Sequence, residues 1–203
     1  PPSTRDLSGL DSFFQRTRRC ADFASSTALF MVITSVINPP CRARNYFVEF
    51  HSSLGWMELR GTVESVTALL LRGQRHSPPR PQDAVRDPSP LAAAQREVEQ
   101  FLAGERSHFC IAFELPGTPF QRQVWTELLS IPYGETVSYS NIASNLGRPQ
   151  ATRAVGMANG RNPLLLIVPC HRVIGASGEL TGWSGGPEHK KTLIQLEKRF
   201  RDK

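Results

Sequence analysis

Residues 164–178 read LLLIVPCHRVIGASG: five aliphatic side chains run into a proline, a cysteine, a histidine and an arginine. An apolar run of this length, bounded by turn formers, predicts a buried strand over Leu164–Val168. Pro169 fixes one backbone dihedral and removes a donor, so the strand is expected to end or bend there. An isolated cysteine is most often a small buried hydrophobe. His171 and Arg172 are poor material for a core, however, and they stand directly beside Cys170. Gly175, Gly178, Gly182, Gly185 and Gly186 leave the downstream loop free to wrap a ligand. An ordinary thiol is only a few per cent thiolate near neutral pH. A histidine acting as proton acceptor, or a nearby cation, raises that fraction. A Cys-His pair serves acyl transfer or attack at a saturated carbon, and spacing alone does not choose between them.

Upstream of this stretch the pattern is helical. In TPFQRQVWTELLSIP, Phe120, Val124, Trp125, Leu128 and Leu129 share one stripe, broken at Ile131–Gly134. SYSNIASNLG predicts a short helix with Ser138 as N-cap and Gly147 just past its end. RPQATRAVGMANG follows at once, with Pro149 at the opening, Ala151, Ala154, Val155 and Ala158 inward, and Gly160 closing. Two short helices about a tight glycine turn fit a helix-turn-helix, and equally an ordinary helical hairpin. The second helix is rich in Ala, Thr and Gly, which permits close approach to a surface, and Arg153 stands out among them.

Further upstream, NYFVEFHSSLGWMELRG (residues 45–61) and SVTALLLRG (residues 65–73) read as two strands joined through a Ser-Ser-Leu-Gly turn. Gln74–Pro90 is proline-rich, charged and aperiodic, hence a loop. LAAAQREVEQFLAGE predicts a helix with Leu91, Ala94, Gln95, Val98, Phe101 and Leu102 on one face and Gly104 at its end. HFCIAFEL (residues 108–115) is expected to return to strand.

The chain has 203 residues, 39% of them hydrophobic, which suits one or two domains with a real core. Its formal net charge is +6. From Pro116 onward there are 11 Lys and Arg against 6 Asp and Glu, so +5 of the excess lies there. A basic half of this kind fits nucleic acid, and also an ordinary solvated surface. Cys20, Cys41, Cys110 and Cys170 show no C-x-x-C pairing, so reduced cysteines are expected rather than a disulfide framework or a four-cysteine zinc site. No apolar run reaches the ~18–20 residues of a membrane span. ALFMVITSVI (residues 28–37) follows Arg16, Arg18 and Arg19 in the manner of a secretory signal, yet lacks a small-x-small cleavage pattern. Residues 1–44 are therefore expected to be an extension, poorly ordered or of unknown role.

The ordered motifs GTPFQRQVW, IPYGETVSY, RAVGMANGRNP, IVPCHRVIGASG and LTGWSGG resemble those of O6-alkylguanine-DNA alkyltransferases, the methylated-DNA–protein-cysteine methyltransferases. The likeness is dense from Gly117 to Glu197 and looser back to about Asn45. It implies an α/β, ribonuclease H-like domain over residues 45–115, and a mostly helical domain with a helix-turn-helix over residues 116–203. It further implies a single-turnover transfer of an alkyl group from O6-alkylguanine, and from O4-methylthymine, in double-stranded DNA to Cys170.

By the same resemblance, the second helix enters the minor groove through Ala151, Thr152, Ala154 and Gly156. Arg153 fills the gap left by the flipped nucleotide, which must leave the stack to meet a protein thiol. Tyr139 helps rotate that nucleotide and donates a proton to the departing guanine. Cys170 acts as a thiolate at the mouth of a guanine pocket. His171 takes the thiol proton through a water, and Glu197 orients the imidazole. Asn162 is the hinge asparagine. Val173, Ser184 and Gly185 line the pocket with Trp183, where the family usually carries tyrosine; an indole keeps an apolar wall there but changes its volume and hydrogen bonding. Thr62 stands where some relatives have a zinc-ligating cysteine, so neither metal nor cofactor is expected. A monomer in the cytoplasm (or in the nucleus of a eukaryotic host) is expected, without membrane association. The competing readings are a non-catalytic protein that recognises alkylguanine, which would lack Cys170, a four-cysteine transcription-activating relative, and a cysteine hydrolase.

Overall fold

β1 (Tyr46–Ser52) and β2 (Gly55–Gly61) form an antiparallel hairpin in register from Tyr46↔Gly61 to Ser52↔Gly55. The Ser52 hydroxyl makes the turn by accepting from the Leu54 amide at 3.1 Å and donating to the Gly55 carbonyl at 3.0 Å. Gly55, with φ of 101°, supplies the left-handed residue that closes it. β3 (Val66–Leu71) adds antiparallel to β2 beyond an irregularity at Arg60/Gly61, and the two-residue β4 (Val85–Arg86) pairs parallel to β1. The sheet order is therefore β3-β2-β1-β4. The computed structural model describes residues 44–180 and 182–201, which belong to a compact unit spanning Arg44–Lys203. The expectations for residues 1–43, including the signal-like run and Cys20 and Cys41, lie outside the described residues.

Period-two alternation sends Val48, Phe50, Met57, Leu59, Leu69 and Leu71 into the core. α1 (Ala92–Ala103) packs there through Ala94, Val98, Phe101 and Leu102, and stops at Gly104, whose φ is 75°. The opposite face of the sheet is covered by the proline-rich loop. Arg80 lies 3.7 Å over the Phe47 ring and bonds Glu58 at 2.8 Å and Glu49 at 3.1 Å, while Arg60 donates to the Pro78 carbonyl at 2.9 Å.

From residue 119 the chain is helical. α2 (Pro119–Leu128) begins in a capping box between Thr118 and Gln121. β5 (Val137–Ser138) leads into α3 (Tyr139–Asn145), capped by the Ser138 hydroxyl as expected. A 3₁₀ turn at Pro149–Ala151 precedes α4 (Thr152–Gly160). β6 (Val173–Ile174) pairs parallel to β5, and α5 (Pro187–Arg201) ends the described chain. Trp125 joins two of these helices: its ring is buried and its indole N–H donates to the Ala158 carbonyl at 2.9 Å.

Four expectations need correction. Residues 45–73 hold three strands, because the Ser-Ser-Leu-Gly turn lies inside the first motif and makes a hairpin of it alone. Residues 108–115 are not a strand: only Phe113 bridges to Val66, with two backbone bonds flanking it. Leu164–Val168 is buried throughout yet is not a strand either. It bridges β3 once, at Leu69↔Leu164, and then turns, with Leu166 at φ of 68°. An apolar run reports burial, and only long-range pairing makes it a strand. Finally, Cys110 is disulfide-bonded, so the expectation of reduced cysteines fails there. Scattered spacing does not reveal a pairing partner.

Trp125→Ala removes a large buried ring and a buried hydrogen bond together. It is expected to cost ~3–5 kcal/mol, read by urea unfolding.

Candidate active site

The bent run 164–168 places the cysteine. Leu69 of β3 donates to the Pro163 carbonyl at 2.8 Å and accepts from the Leu165 amide at 3.0 Å, fixing the run to the sheet edge. Asn162, fully buried, staples it from inside. Its carbonyl oxygen accepts from the Leu164 amide at 2.9 Å, and its Nδ2 reaches the carbonyls of Leu164 and Val168 at 3.2 and 3.0 Å. The same Nδ2 lies 3.0 Å from Cys170 Sγ. Cys170–Arg172 form a single 3₁₀ turn, all three buried.

His171 and Arg172 both turn onto Glu197 of α5. His171 Nε2 is 2.8 Å from Oε1. Arg172 grips the carboxylate in bidentate fashion, Nε to Oε2 and Nη2 to Oε1, each at 2.9 Å, and its Nη1 donates to the Ile131 carbonyl at 2.7 Å. The Gly134 amide adds a fourth donor at 3.0 Å. Burial alone would raise the Glu197 pKa, but hydrogen bonds and charge from His171 and Arg172 outweigh it and hold the carboxyl at about 2. The permanent charge of Arg172 keeps Glu197 ionised whether or not His171 carries a proton. Burial pushes His171 down, against the pull of Glu197, so its resting form is the neutral imidazole. With Nε2 engaged by Glu197, Nδ1 remains buried with no partner among the described residues.

The sulfur itself is fully buried. Trp183, only 7% exposed, covers it, its indole N–H 3.0 Å from Sγ. Burial pushes the thiol up, against the two N–H donors and the Lys190 charge. A sulfur resting as a thiolate at an open pocket mouth is therefore corrected. In this closed arrangement it is a covered thiol, because the indole fills the space in front of it. A cavity of about 350 Å³ lies elsewhere, among Trp56, Arg60, Leu70, Arg72 and Arg86 on the far face of the sheet. It touches none of the residues around the sulfur.

Tyr139, Asn162, Val173 and Trp183 are thus gathered with Cys170, His171 and Glu197. The β5–β6 pairing sets the start of α3, and with it Tyr139, beside Val173. Burial raises the Tyr139 hydroxyl to about 12, helped by the neighbouring sulfur and opposed by Asn159. Ser184 is buried, and its carbonyl accepts from the Arg75 amide at 3.2 Å, while Gly185 accepts from His189 at 2.9 Å. Arg153 is exposed and Ala151, Thr152, Ala154 and Gly156 are half-buried, so these residues form the outer side of α4 and of the turn that leads into it.

Three residues escape the sequence reading. Lys190 is fully buried; its ammonium donates to the Val173 carbonyl at 2.5 Å and lies 5.7 Å over the Tyr139 ring. Burial pulls it down to about 8. The signal for it is a lysine on the inward stripe of α5, at helical spacing from Leu193 and Glu197. Arg172 is readable as a neighbour but not as the clamp on Glu197. Asn159 sits on the inward stripe of α4 beside Val155 and Ala158, where a polar residue is out of place.

Comparison with known proteins places this geometry. Residues 119–199 match the family described as 6-O-methylguanine DNA methyltransferase, DNA binding domain. The methylated-DNA–protein-cysteine methyltransferase of Mycobacterium tuberculosis is 47% identical over 147 residues, covering 72% of this chain and 88% of the relative. The chain belongs to this family. The enzyme of the same name from Methanosarcina acetivorans is 42% identical, covering 75% of this chain and 97% of the relative. A crystal structure of Mycobacterium tuberculosis OGT in complex with DNA superposes with a TM-score of 0.72 at 43% identity, covering 76% of this chain and 94% of that one.

Two outcomes follow for this family member. Because the Glu197 carboxyl is depressed from 4.5 to about 2 in the folded state, its stabilisation is present above pH 4.5 and is lost as pH falls toward 2. Glu197→Gln is expected to cost ~3–5 kcal/mol above that window, with the gap to the parent closing inside it, as measured by urea unfolding at a series of pH values. Trp183→Ala uncovers the sulfur. Reaction of Cys170 with a small thiol reagent such as iodoacetamide is expected to rise roughly tenfold or more, since each unit of relieved pKa is about tenfold in thiolate. An unchanged rate would mean that the indole is no cover.

Proposed function

We propose that this protein repairs double-stranded DNA by irreversible, stoichiometric transfer of the alkyl group from O6-alkylguanine, and from O4-methylthymine, to Cys170. The observation that carries the reading is the sulfur's setting: a lone thiol between two N–H donors, followed directly by a neutral histidine buttressed by Glu197. The thiol proton passes from Sγ through a water molecule to Nδ1 of His171, the nitrogen that Glu197 leaves open. The resulting imidazolium is stabilised by Glu197, following the logic of a catalytic triad. The thiolate then attacks the alkyl carbon. A carbon–sulfur bond forms as the carbon–oxygen bond breaks, its electron pair stays with the guanine, and Tyr139 supplies the proton that makes guanine a neutral leaving group. A thioether is a poor leaving group, so the alkyl remains on Cys170 and each molecule acts once.

The base must leave the duplex to reach a sulfur this deep, at a cost of a few kcal/mol of unstacking. Arg153 on the outer side of α4 fills the vacated position. Ala151, Thr152, Ala154 and Gly156 allow the helix backbone close to the minor groove, with α3 and α4 acting as the helix-turn-helix. Val173, Trp183, Ser184 and Gly185 line the base pocket, and Asn162 is the hinge between α4 and the Cys170 segment. In this reading residues 45–115 form a ribonuclease H-like domain, residues 116–203 carry DNA binding and chemistry, and the protein works as a monomer. Retention of Cys170 speaks against a non-catalytic alkylguanine-binding protein.

The test mixes the protein with a duplex bearing one O6-methylguanine and examines the Cys170 peptide by mass spectrometry. One methyl per molecule, with no turnover beyond one equivalent, is expected. Turnover, or restored guanine with an unmodified Cys170, would refute the mechanism. Arg153→Ala is expected to slow repair of duplex by roughly tenfold or more and to spare reaction with free O6-benzylguanine. Equal losses on both substrates would remove Arg153 from base extrusion.

A further inference from the structure

β3 ends at Leu71, and Gly73, with φ of 82°, turns the chain back. Two hydrogen bonds between the same pair of residues close this turn. The Gln74 amide donates to the Leu71 carbonyl at 3.0 Å, and the Leu71 amide donates to Gln74 Oε1 at 2.9 Å. Gln74 is buried, and the Ser77 hydroxyl donates to its carbonyl at 3.3 Å. Within the same corner His76 has φ of 62°, a conformation uncommon for a residue that carries a side chain. Such conformations persist where the surrounding structure over-determines them. What this corner presents is the N–H of Arg75, which donates to the Ser184 carbonyl at 3.2 Å.

Ser184 is buried and directly follows Trp183, whose indole N–H lies 3.0 Å from Cys170 Sγ. The segment around them is flanked by Gly182 and Gly186, both at positive φ, so its own backbone does little to fix its position. Bonds to neighbours must do so. The Gly186 amide donates to the Trp183 carbonyl at 3.3 Å, His189 Nδ1 donates to the Gly185 carbonyl at 2.9 Å, and Asn159 Nδ2 is 3.5 Å from the Gly182 carbonyl. Those three come from the helical part of the chain. The bond to Ser184 comes from the sheet, by way of the Gln74 corner.

We propose that Gln74 is a positioning residue for the nucleophile: through the Arg75 amide it fixes Ser184, and so keeps the Trp183 indole against Cys170. This gives the sheet a part in the site, since the turn after β3 sets how well the sulfur is covered. The inference goes beyond the alkyltransferase reading and does not depend on it, because it concerns access to the sulfur and not the group delivered there.

The experiment follows alkylation of Cys170 by iodoacetamide in the folded full chain without DNA, read by mass spectrometry of the Cys170 peptide. Gln74→Ala is expected to raise the rate roughly fivefold, the effect of losing one buried hydrogen bond that holds the closed form. In a Trp183→Ala background the same substitution is expected to change the rate by less than about twofold, because the cover is already gone. Gly73→Ala is the second variant, and it stands in should Gln74→Ala fail to fold. Its added methyl meets no atom within 4 Å, yet its φ is unfavourable, so it disturbs the turn alone and is expected to show the same dependence on Trp183. An unchanged rate in these variants, or the same factor with and without Trp183, would overturn the proposal, the latter being the mark of a general loosening of the fold. Methyl transfer from an O6-methylguanine duplex is measured separately, and its absence would sink the alkyltransferase reading while leaving this comparison intact.

Discussion

The site hangs on one buried carboxylate. Glu197 accepts from His171, twice from Arg172 and once from the Gly134 amide, and so ties α5 to the Cys170–Arg172 turn and to the loop before β5. A carboxylate taken out of water is costly unless its lone pairs are engaged, and here they are filled by a permanent cation and a backbone amide. With Arg172 holding the charge, His171 is free to remain neutral. One neighbour of the cysteine fixes the helix, and the other keeps a ring nitrogen available.

The covered sulfur gives this arrangement a direction. In a dry setting the thiol is favoured over the thiolate, and the Trp183 indole stands directly against the sulfur. Trp183 sits on a loop flanked by Gly182 and Gly186, with φ of 71° and 91°, conformations that side-chain-bearing residues rarely adopt. Its indole N–H is directed at the sulfur, 3.0 Å away. Trp183 is thus the element that closes the site.

How legible the protein was depended on the range of the forces involved. Helical stripes at Val124, Trp125 and Leu128, the Ser138 cap and the left-handed Gly104 and Gly147 are set within one or two turns of chain, and sequence reads them correctly. The motif order around Cys170 carried the family, and with it the pairing of His171 and Glu197. What failed was non-local. Leu164–Val168 is apolar enough for a strand, yet Asn162 pins it into a turn, and an asparagine's choice of four partners is invisible from its neighbours. Residues 108–115 alternate like a strand but meet β3 at a single residue. Lys190 and Asn159 were missed because polar residues on apolar stripes read as noise until their partners are seen.

Helix α4 then emerges as a two-sided device. Its outer side presents Arg153 and Met157 to solvent among small residues, while Val155, Ala158 and Asn159 face inward. Trp125 holds the Ala158 carbonyl, and Asn159 holds the carbonyl of Cys170 itself, so the helix is bonded directly to the cysteine turn. Asn162, two residues past the helix, repeats the link through the sulfur. The packed inner stripe of Val155, Ala158 and Asn159 supplies the stability that residues as helix-averse as Gly156 and Gly160 do not.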